Sequence, residues 1–363
     1  APLQAIAAAC VSGAVGLGIG YSLKLRSAGC DNNALVPSML ITGTPSRPAS
    51  DFLITGAPTL PANLPTAVAA LQWAGWPGFD NIKFRQGYVT SFNRQTRNPN
   101  WVCEHLCEET LRGEGSRAKT ENFQEDETDP PHLRSRLADY KGSGFDRGHL
   151  VAAADVKFSQ NALDETFLLS NISPQVGAGF NRGYWERMER WCRNLVKKGE
   201  FSDVFVISGP LFLPKKEADG NYYMQHQVLG NPPSLQVPTH FFKVIMALPT
   251  RSAQASLTPA AAPTKTDPNA SALVPLGRTP AKPIALGAFV VPNEVIDDKD
   301  DLSKYSYPIE IVERLAGLQF FQRLPRQNTK FIKPLCESTK CVLPAGFQLQ
   351  DGKDKQPKVI TVK

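Results

Sequence analysis

The chain has 363 residues, 42% hydrophobic and 20% charged, a balance ordinary for a globular protein and enough for one large core or two smaller ones. Its formal charge of +6 and pI near 8.9 suit a polyanionic partner without demanding one. Seven cysteines, an odd number, leave at least one unpaired within the chain, and no second CxxC-like pair or paired histidine joins Cys103 and Cys107 to complete a zinc site.

In chain order, the first charged side chain is Lys24, and the uncharged run over residues 5–23 is long enough to cross a bilayer as a helix. No basic segment precedes it, which separates it from a cleavable signal peptide. Residues 1–26 are therefore expected to form an N-terminal transmembrane anchor. Ala8, Ser12, Gly16 and Gly20 recur every four residues, a small-residue face suited to a helix partner in the membrane. Lys24 and Arg26, just after the span, point to the matrix or cytosolic side.

Residues 27–85 are rich in Pro, Gly, Ala and Ser and are expected to form an irregular tether, with a helix near Ala67–Trp73. Alternation over Tyr88–Phe92 predicts a strand, Arg94–Asn100 a turn, and Trp101-Val102 the returning strand. The run Glu104–Leu111 predicts a helix, and Cys103 and Cys107 are spaced for one helix face. The acidic residues from Glu121 to Asp129 are expected in a solvated loop.

The run Gly142-Ser143-Gly144-Phe145-Asp146-Arg147-Gly148-His149-Leu150 then sets a base that can be neutral at physiological pH beside a permanent cation. The glycine between them allows a bend or a close approach of backbone. Hydrolysis of a phosphodiester needs that pairing, a base for water and positive charge for the phosphate. Further on, Val204–Ser208 and His240–Leu248 are strand-like, and Asp219-Gly220 marks a hairpin leading into Tyr222–Leu229. Residues 249–283, rich in Pro, Ala, Thr and Ser, separate strands expected to be neighbours, Phe241–Leu248 and Ile284–Val291. That insertion reads as a surface loop or as a segment wrapped on a partner. Pro308–Leu318 has helical spacing with Gly317 at its end, and Cys336 and Cys341 are placed either to close a short loop by a disulfide or to remain thiols.

Downstream of the His149 motif come Phe167-Leu168-Leu169-Ser170-Asn171-Ile172-Ser173-Pro174-Gln175 and Asn181-Arg182-Gly183-Tyr184-Trp185-Glu186-Arg187-Met188-Glu189. With Asp203–Leu211, Val237–Val244 and Leu286–Glu294, these runs resemble the DNA/RNA non-specific endonucleases of the ββα-metal class. Within that class the chain looks like the mitochondrial endonuclease G group, and more closely its exo/endonuclease G branch. The resemblance covers residues 86–325 in the family's order. It implies an α+β fold of the ββα-metal (His-Me finger) type, with a central, mostly antiparallel sheet flanked by helices. The tail, residues 326–363, resembles a truncated form of that branch's C-terminal wing.

The resemblance also assigns roles. His149 is the expected general base, and Arg147 the cation on the scissile phosphate. Asn181, four residues before Trp185, is the expected direct ligand of Mg²⁺, with Mn²⁺ as a substitute; counting forward from Gln175 instead reaches Phe180, so the Val176–Gly179 loop is read as one residue longer. Glu189 is expected to hold metal-bound waters. Asn171 is expected to orient those waters, bind phosphate or cap a turn. Asp146 is read as holding the turn; Arg117 and Lys119 lie where a further phosphate-binding cation would come from, with ordinary surface charge the favoured reading. His105, His132, His226 and His240 are read as structural.

The expected function is a membrane-tethered, Mg²⁺-dependent, sugar-non-specific nuclease that contacts the DNA or RNA backbone without reading sequence. By the resemblance, the nuclease domain faces the mitochondrial intermembrane space, against the orientation that Lys24 and Arg26 favour, and a homodimer is a family habit. The competing expectation is an accessory subunit of a mitochondrial inner-membrane complex built on the same fold.

Overall fold

The computed structural model describes residues 65–120, 123–249 and 283–346. The chain divides into two units, Ala1–Leu60 and Pro61–Lys363, and every described residue lies in the second. Among the described residues no helix is long and apolar enough to cross a membrane. The expected anchor at residues 5–23 and the bulk of the 249–283 insertion lie outside the described residues.

The fold is α+β, built on a seven-stranded sheet. Helix α1 (Ala67–Ala74) leads into β1 (Ile82–Phe84), β2 (Tyr88–Asn93) and β3 (Asn98–Leu106), which pair antiparallel in turn. A one-turn helix α2 (Glu108–Leu111), α3 (Leu137–Tyr140), β4 (Asp146–His149), α4 (Gln160–Glu165), β5 (Ile172–Gln175) and α5 (Glu186–Lys197) follow. The chain then re-enters the sheet with β6 (Phe201–Leu211). Two short ribbons, β7 (Lys215–Lys216) with β8 (Tyr222–Tyr223) and β9 (Val228–Leu229) with β10 (Leu235–Gln236), precede β11 (His240–Pro249) and β12 (Ile284–Pro292). Helix α6 (Ile309–Ala316), ended by Gly317 in the left-handed region, β13 (Ile332–Pro334) and α7 (Leu335–Ser338) complete it.

The sheet order is β1-β2-β3-β6-β11-β12-β13, antiparallel except for the parallel β12–β13 pair. Phe241 and Phe242 show how its two faces are used, since neighbours on a strand point to opposite sides. Phe241 meets Phe180 and Trp185 on the α5 side, and Phe242 meets Phe320 on the other. Helix α5 lays Met188, Trp191, Cys192 and Leu195 into the larger core with Val204, Val206, Ile245 and Phe289.

Several expectations hold: α1, β2, the β11–β12 pairing, the Asp219-Gly220 hairpin and α6 all form where the pattern placed them. Others are corrected. Glu104–Leu111 is not one helix; Glu104, His105 and Leu106 extend β3, and only Glu108–Leu111 is helical. Cys103 therefore sits in a strand, and it, Cys107 and Cys192 are buried free thiols. The acidic stretch is only partly solvated. Asp126 and Asp129 are buried, Asp126 paired with Arg85 and Asp129 2.7 Å from Lys83. Both flanking segments also fold: β1 lies within the expected tether, and β13 and the Cys336–Cys341 disulfide within the expected tail.

Candidate functional site

Strands β4 and β5 form a separate two-stranded ribbon in the register Asp146↔Gln175, Arg147↔Pro174, Gly148↔Ser173 and His149↔Ile172. Gly148 is required by that pairing, because a Cβ there would lie 2.1 Å from Gln175 Oε1. After β5 the chain winds through a wide turn in which the Asn181 N–H donates to the Val176 carbonyl at 2.9 Å. Ala178, Gly179 and Arg182 leave helical geometry there, and regular α-helix begins at Glu186. The Trp185 indole N–H donates to the His149 carbonyl at 3.0 Å, so the start of α5 is tied to the end of β4.

This ribbon-and-helix unit opens onto a cleft of about 1530 Å³ lined by Arg147, His149, Asn181, Glu186 and Glu189 among others. His149 is half-buried between two phenylalanines, its ring centroid 4.6 Å from Phe167 and 5.3 Å from Phe123. Those rings are brought together by backbone bonds on either side of Gln124, to Phe167 (3.1 Å) and from Leu169 (2.8 Å). Burial lowers the imidazole pKa to about 3, with the Arg117 charge adding to the effect. The ring is thus neutral at pH 7, and its Nε2 has no hydrogen-bond partner within the protein.

Two guanidiniums stack on the same aromatic pair, Arg147 over Phe123 at 4.5 Å and Arg117 over Phe167 at 4.2 Å. Both are exposed and both line the cleft. Of the two readings of Arg117, its place favours the cation over ordinary surface charge: it faces the same cavity as His149, from thirty residues earlier than Arg147. Lys119 is exposed and does not line the cleft.

Asn181 is held from one end. Its Nδ2 donates to Asp146 Oδ2 at 2.8 Å, and Arg182 pairs with the same carboxylate, which leaves the amide oxygen as the free end. Asp146 acts as the turn-holding residue expected, with its partners now named. Glu189 is buried on the inner face of α5, and burial raises its carboxyl to about 8. Lys243 and Arg193 oppose that shift, whereas Asp155 and Glu186 reinforce it. Beneath it, Arg193 pairs with Asp155 at 2.7 Å and Lys243 donates to Ser208 Oγ at 2.8 Å.

Asn171 is not brought into the cleft. Its Oδ1 accepts from the Val151 N–H (3.0 Å), and its Nδ2 donates to the Val151 (3.0 Å) and Thr166 (2.8 Å) carbonyls. A buried amide so committed brackets the connection between β4 and β5, with both of its donor hydrogens used inside the fold. Expectations of water or phosphate contact give way to this holding role. His105 is structural, bonded to Asp203 at 2.9 Å and stacked on Phe205.

The donor set suits a hard cation. Among the described residues no cluster of three or more His, Cys, Asp or Glu could hold a metal ion. A lone amide oxygen with carboxylates nearby fits Mg²⁺, which keeps most of its waters, better than a metal needing an all-protein cage.

The sequence model of the family described as DNA/RNA non-specific endonuclease matches residues 74–327. The "Mitochondrial nuclease" of Saccharomyces cerevisiae is 42% identical over 269 residues, covering 74% of this chain and 73% of that protein. "Endonuclease G, mitochondrial" of Homo sapiens is 38% identical over 246 residues, 68% of this chain and 71% of that one. Among solved structures, a chain from "Crystal structure of the EndoG/EndoGI complex: Mechanism of EndoG inhibition" is 36% identical. It covers 75% of this chain and 98% of its own length with a TM-score of 0.62.

Proposed function

Because the chain belongs to the DNA/RNA non-specific endonuclease family, we propose that its cleft cuts the phosphodiester backbone of DNA and RNA with His149 as general base. The chain is an endonuclease by that membership; the residue roles are our reading of the geometry. The ββα-metal assignment belongs to it too, with β4 and β5 presenting Arg147 and His149, and α5 presenting Glu189. The observation that carries it is a neutral imidazole packed between Phe123 and Phe167, each of which also carries a stacked guanidinium, in a cleft shared with Asn181 and Glu189.

Arg117 and Arg147 clamp the phosphate from two sides, and their stacking on Phe167 and Phe123 fixes them before substrate arrives. Phe123 and Phe167 hold the imidazole plane and exclude water from its faces. The His149 imidazole takes a proton from the attacking water, whose oxygen forms the new bond to phosphorus. The bond from phosphorus to the 3′ oxygen breaks in line, and the departing oxygen takes a proton from solvent. A 5′-phosphate and a 3′-hydroxyl remain while His149 returns its proton to solvent. Asn181 Oδ1, with Glu189 on the surrounding waters, would hold Mg²⁺ or Mn²⁺, which when bound supplies positive charge to the phosphate and the departing oxygen.

The same reading places the protein in mitochondria, like the relatives named above, and tethers it to the inner membrane through residues 5–23. The Cys336–Cys341 disulfide suits the oxidising intermembrane space. Protease accessibility of the cleft unit in intact mitoplasts tests that orientation. The activity is tested by plasmid nicking with Mg²⁺: His149→Ala should lose about 10²–10⁴-fold in rate. Wild type and variant nicking equally, or neither nicking, defeats the reading.

A further inference from the structure

The Pro292-Asn293 step at the end of β12 lies outside the cleft lining, yet it has an unusual set of bonds. The Asn293 Oδ1 accepts the Val176 N–H at 2.9 Å. Its Nδ2 donates to the carbonyls of Pro174 at 3.1 Å and Pro238 at 2.9 Å. Its backbone N–H donates to the Thr239 carbonyl at 2.9 Å. One amide thus joins three chain segments.

One of those segments reaches the site at two points. Pro174 is the cross-strand partner of Arg147, and Val176 supplies the carbonyl that receives the Asn181 N–H. The β4–β5 ribbon is not paired into the large sheet, so its seat on the sheet depends on ties of this kind. We infer that Asn293 is a positioning residue that sets the Arg147 strand and the Asn181 turn in register with each other and with the sheet. This rests on the nuclease reading of the cleft. An amide is needed because one end must accept and the other must donate twice. A carboxylate keeps the bond to Val176 but sets an oxygen against two carbonyls.

The outcome to exclude is a residue that merely adds stability. Asn98 is a matched control, since its Nδ2 donates to the Thr96 and Gln236 carbonyls, both at 2.8 Å, away from the cleft. Full-length wild type, Asn293→Asp, Asn293→Ser and Asn98→Ala are purified, and Mn²⁺ alone is titrated into each by calorimetry alongside thermal melting. Nicking with Mg²⁺ is measured in parallel. Outer residues that orient metal ligands typically affect affinity or activity by about 10–100-fold, and that loss of Mn²⁺ affinity and of kcat is expected for the Asn293 variants. Asn98→Ala should melt lower while binding Mn²⁺ as wild type does. Asn293 variants that melt lower but match Asn98→Ala in Mn²⁺ affinity and kcat overturn the inference, as do Asn293 variants whose Mn²⁺ affinity is unchanged from wild type. Two Asn293 variants of different chemistry guard against one failing to fold, and failure of both to fold while Asn98→Ala folds also counts against a positioning role. An inert wild type would instead sink the nuclease reading, a separate result.

Discussion

His149 shows how one residue is made into a base by neighbours that are far away in sequence. Phe123 and Phe167 remove water from the ring, and Arg117 opposes a second positive charge beside it. Burial comes first and the guanidinium second, and both favour the neutral imidazole, so a base active only when deprotonated stays active to lower pH than an exposed histidine near 6.5. The acidic limb of kcat/KM should therefore lie below pH 6.5 in wild type. Arg117→Gln removes one of the two depressing influences, so its limb should move to higher pH while its rate falls by about 10²–10³-fold with the clamp broken. A limb that stays put, measured at constant ionic strength, would show that Arg117 does not act on His149. His149, Arg147, Asn181 and Glu189 could be picked out through the motif resemblance, and the ribbon and helix bring them to one cleft. Arg117 could be named only as one of two readings, since its place depends on lying over Phe167, fifty residues on.

At the scale of elements, the misreadings share a cause. Strand β3 is buried on both faces from Trp101 to Leu106, so it lacks the alternation that marks a half-exposed strand, and the polar Glu104 and His105 lent it a helical look. Asp126 and Asp129 read as solvated because their partners, Lys83 and Arg85, lie in and beside the edge strand β1, forty residues earlier. The end of the described chain is similar. Its carbonyls grip the helix that bears Glu189: Arg187 donates to Pro344 at 2.8 Å, Arg190 to Ala345 at 2.7 Å and Trp191 to Lys340 at 3.1 Å. The Cys336–Cys341 disulfide closes the turn that starts this strap, and Cys336 is exposed to solvent. Replacing both cysteines by serine should cost about 2 kcal/mol in stability, as expected for so short a loop. Dithiothreitol should lower the melting temperature of wild type to that of the double variant and leave the variant unmoved. A reductant effect that persists in the variant would place the sensitive group among the five remaining cysteines instead.

Across the whole molecule, the sheet order and the separate ribbon place one cationic cleft on a chain whose formal charge is only +6. The modest total charge matters less than its placement, because Arg117, Lys141 and Arg147 line the cleft with Arg182, whose charge meets Asp146, and with Glu186 and Glu189. A backbone-reading enzyme of this kind gains affinity by releasing counterions from the phosphates it touches. The logarithm of KM for plasmid DNA should therefore rise linearly with the logarithm of salt, with a slope of about 0.9 per phosphate contacted. Each cleft cation that meets a phosphate contributes about one unit to that slope, so Arg147→Ala should flatten it by about one, and Lys141→Ala should do the same if the bound strand runs past α3. Substituting exposed cations distant from the cleft, such as Lys215, should leave the slope unchanged. Swapping the plasmid's base composition should alter neither slope nor KM appreciably, since contacts to phosphates carry no base information. A slope insensitive to Arg147 but sensitive to Lys215 would move the nucleic-acid path away from the cleft altogether.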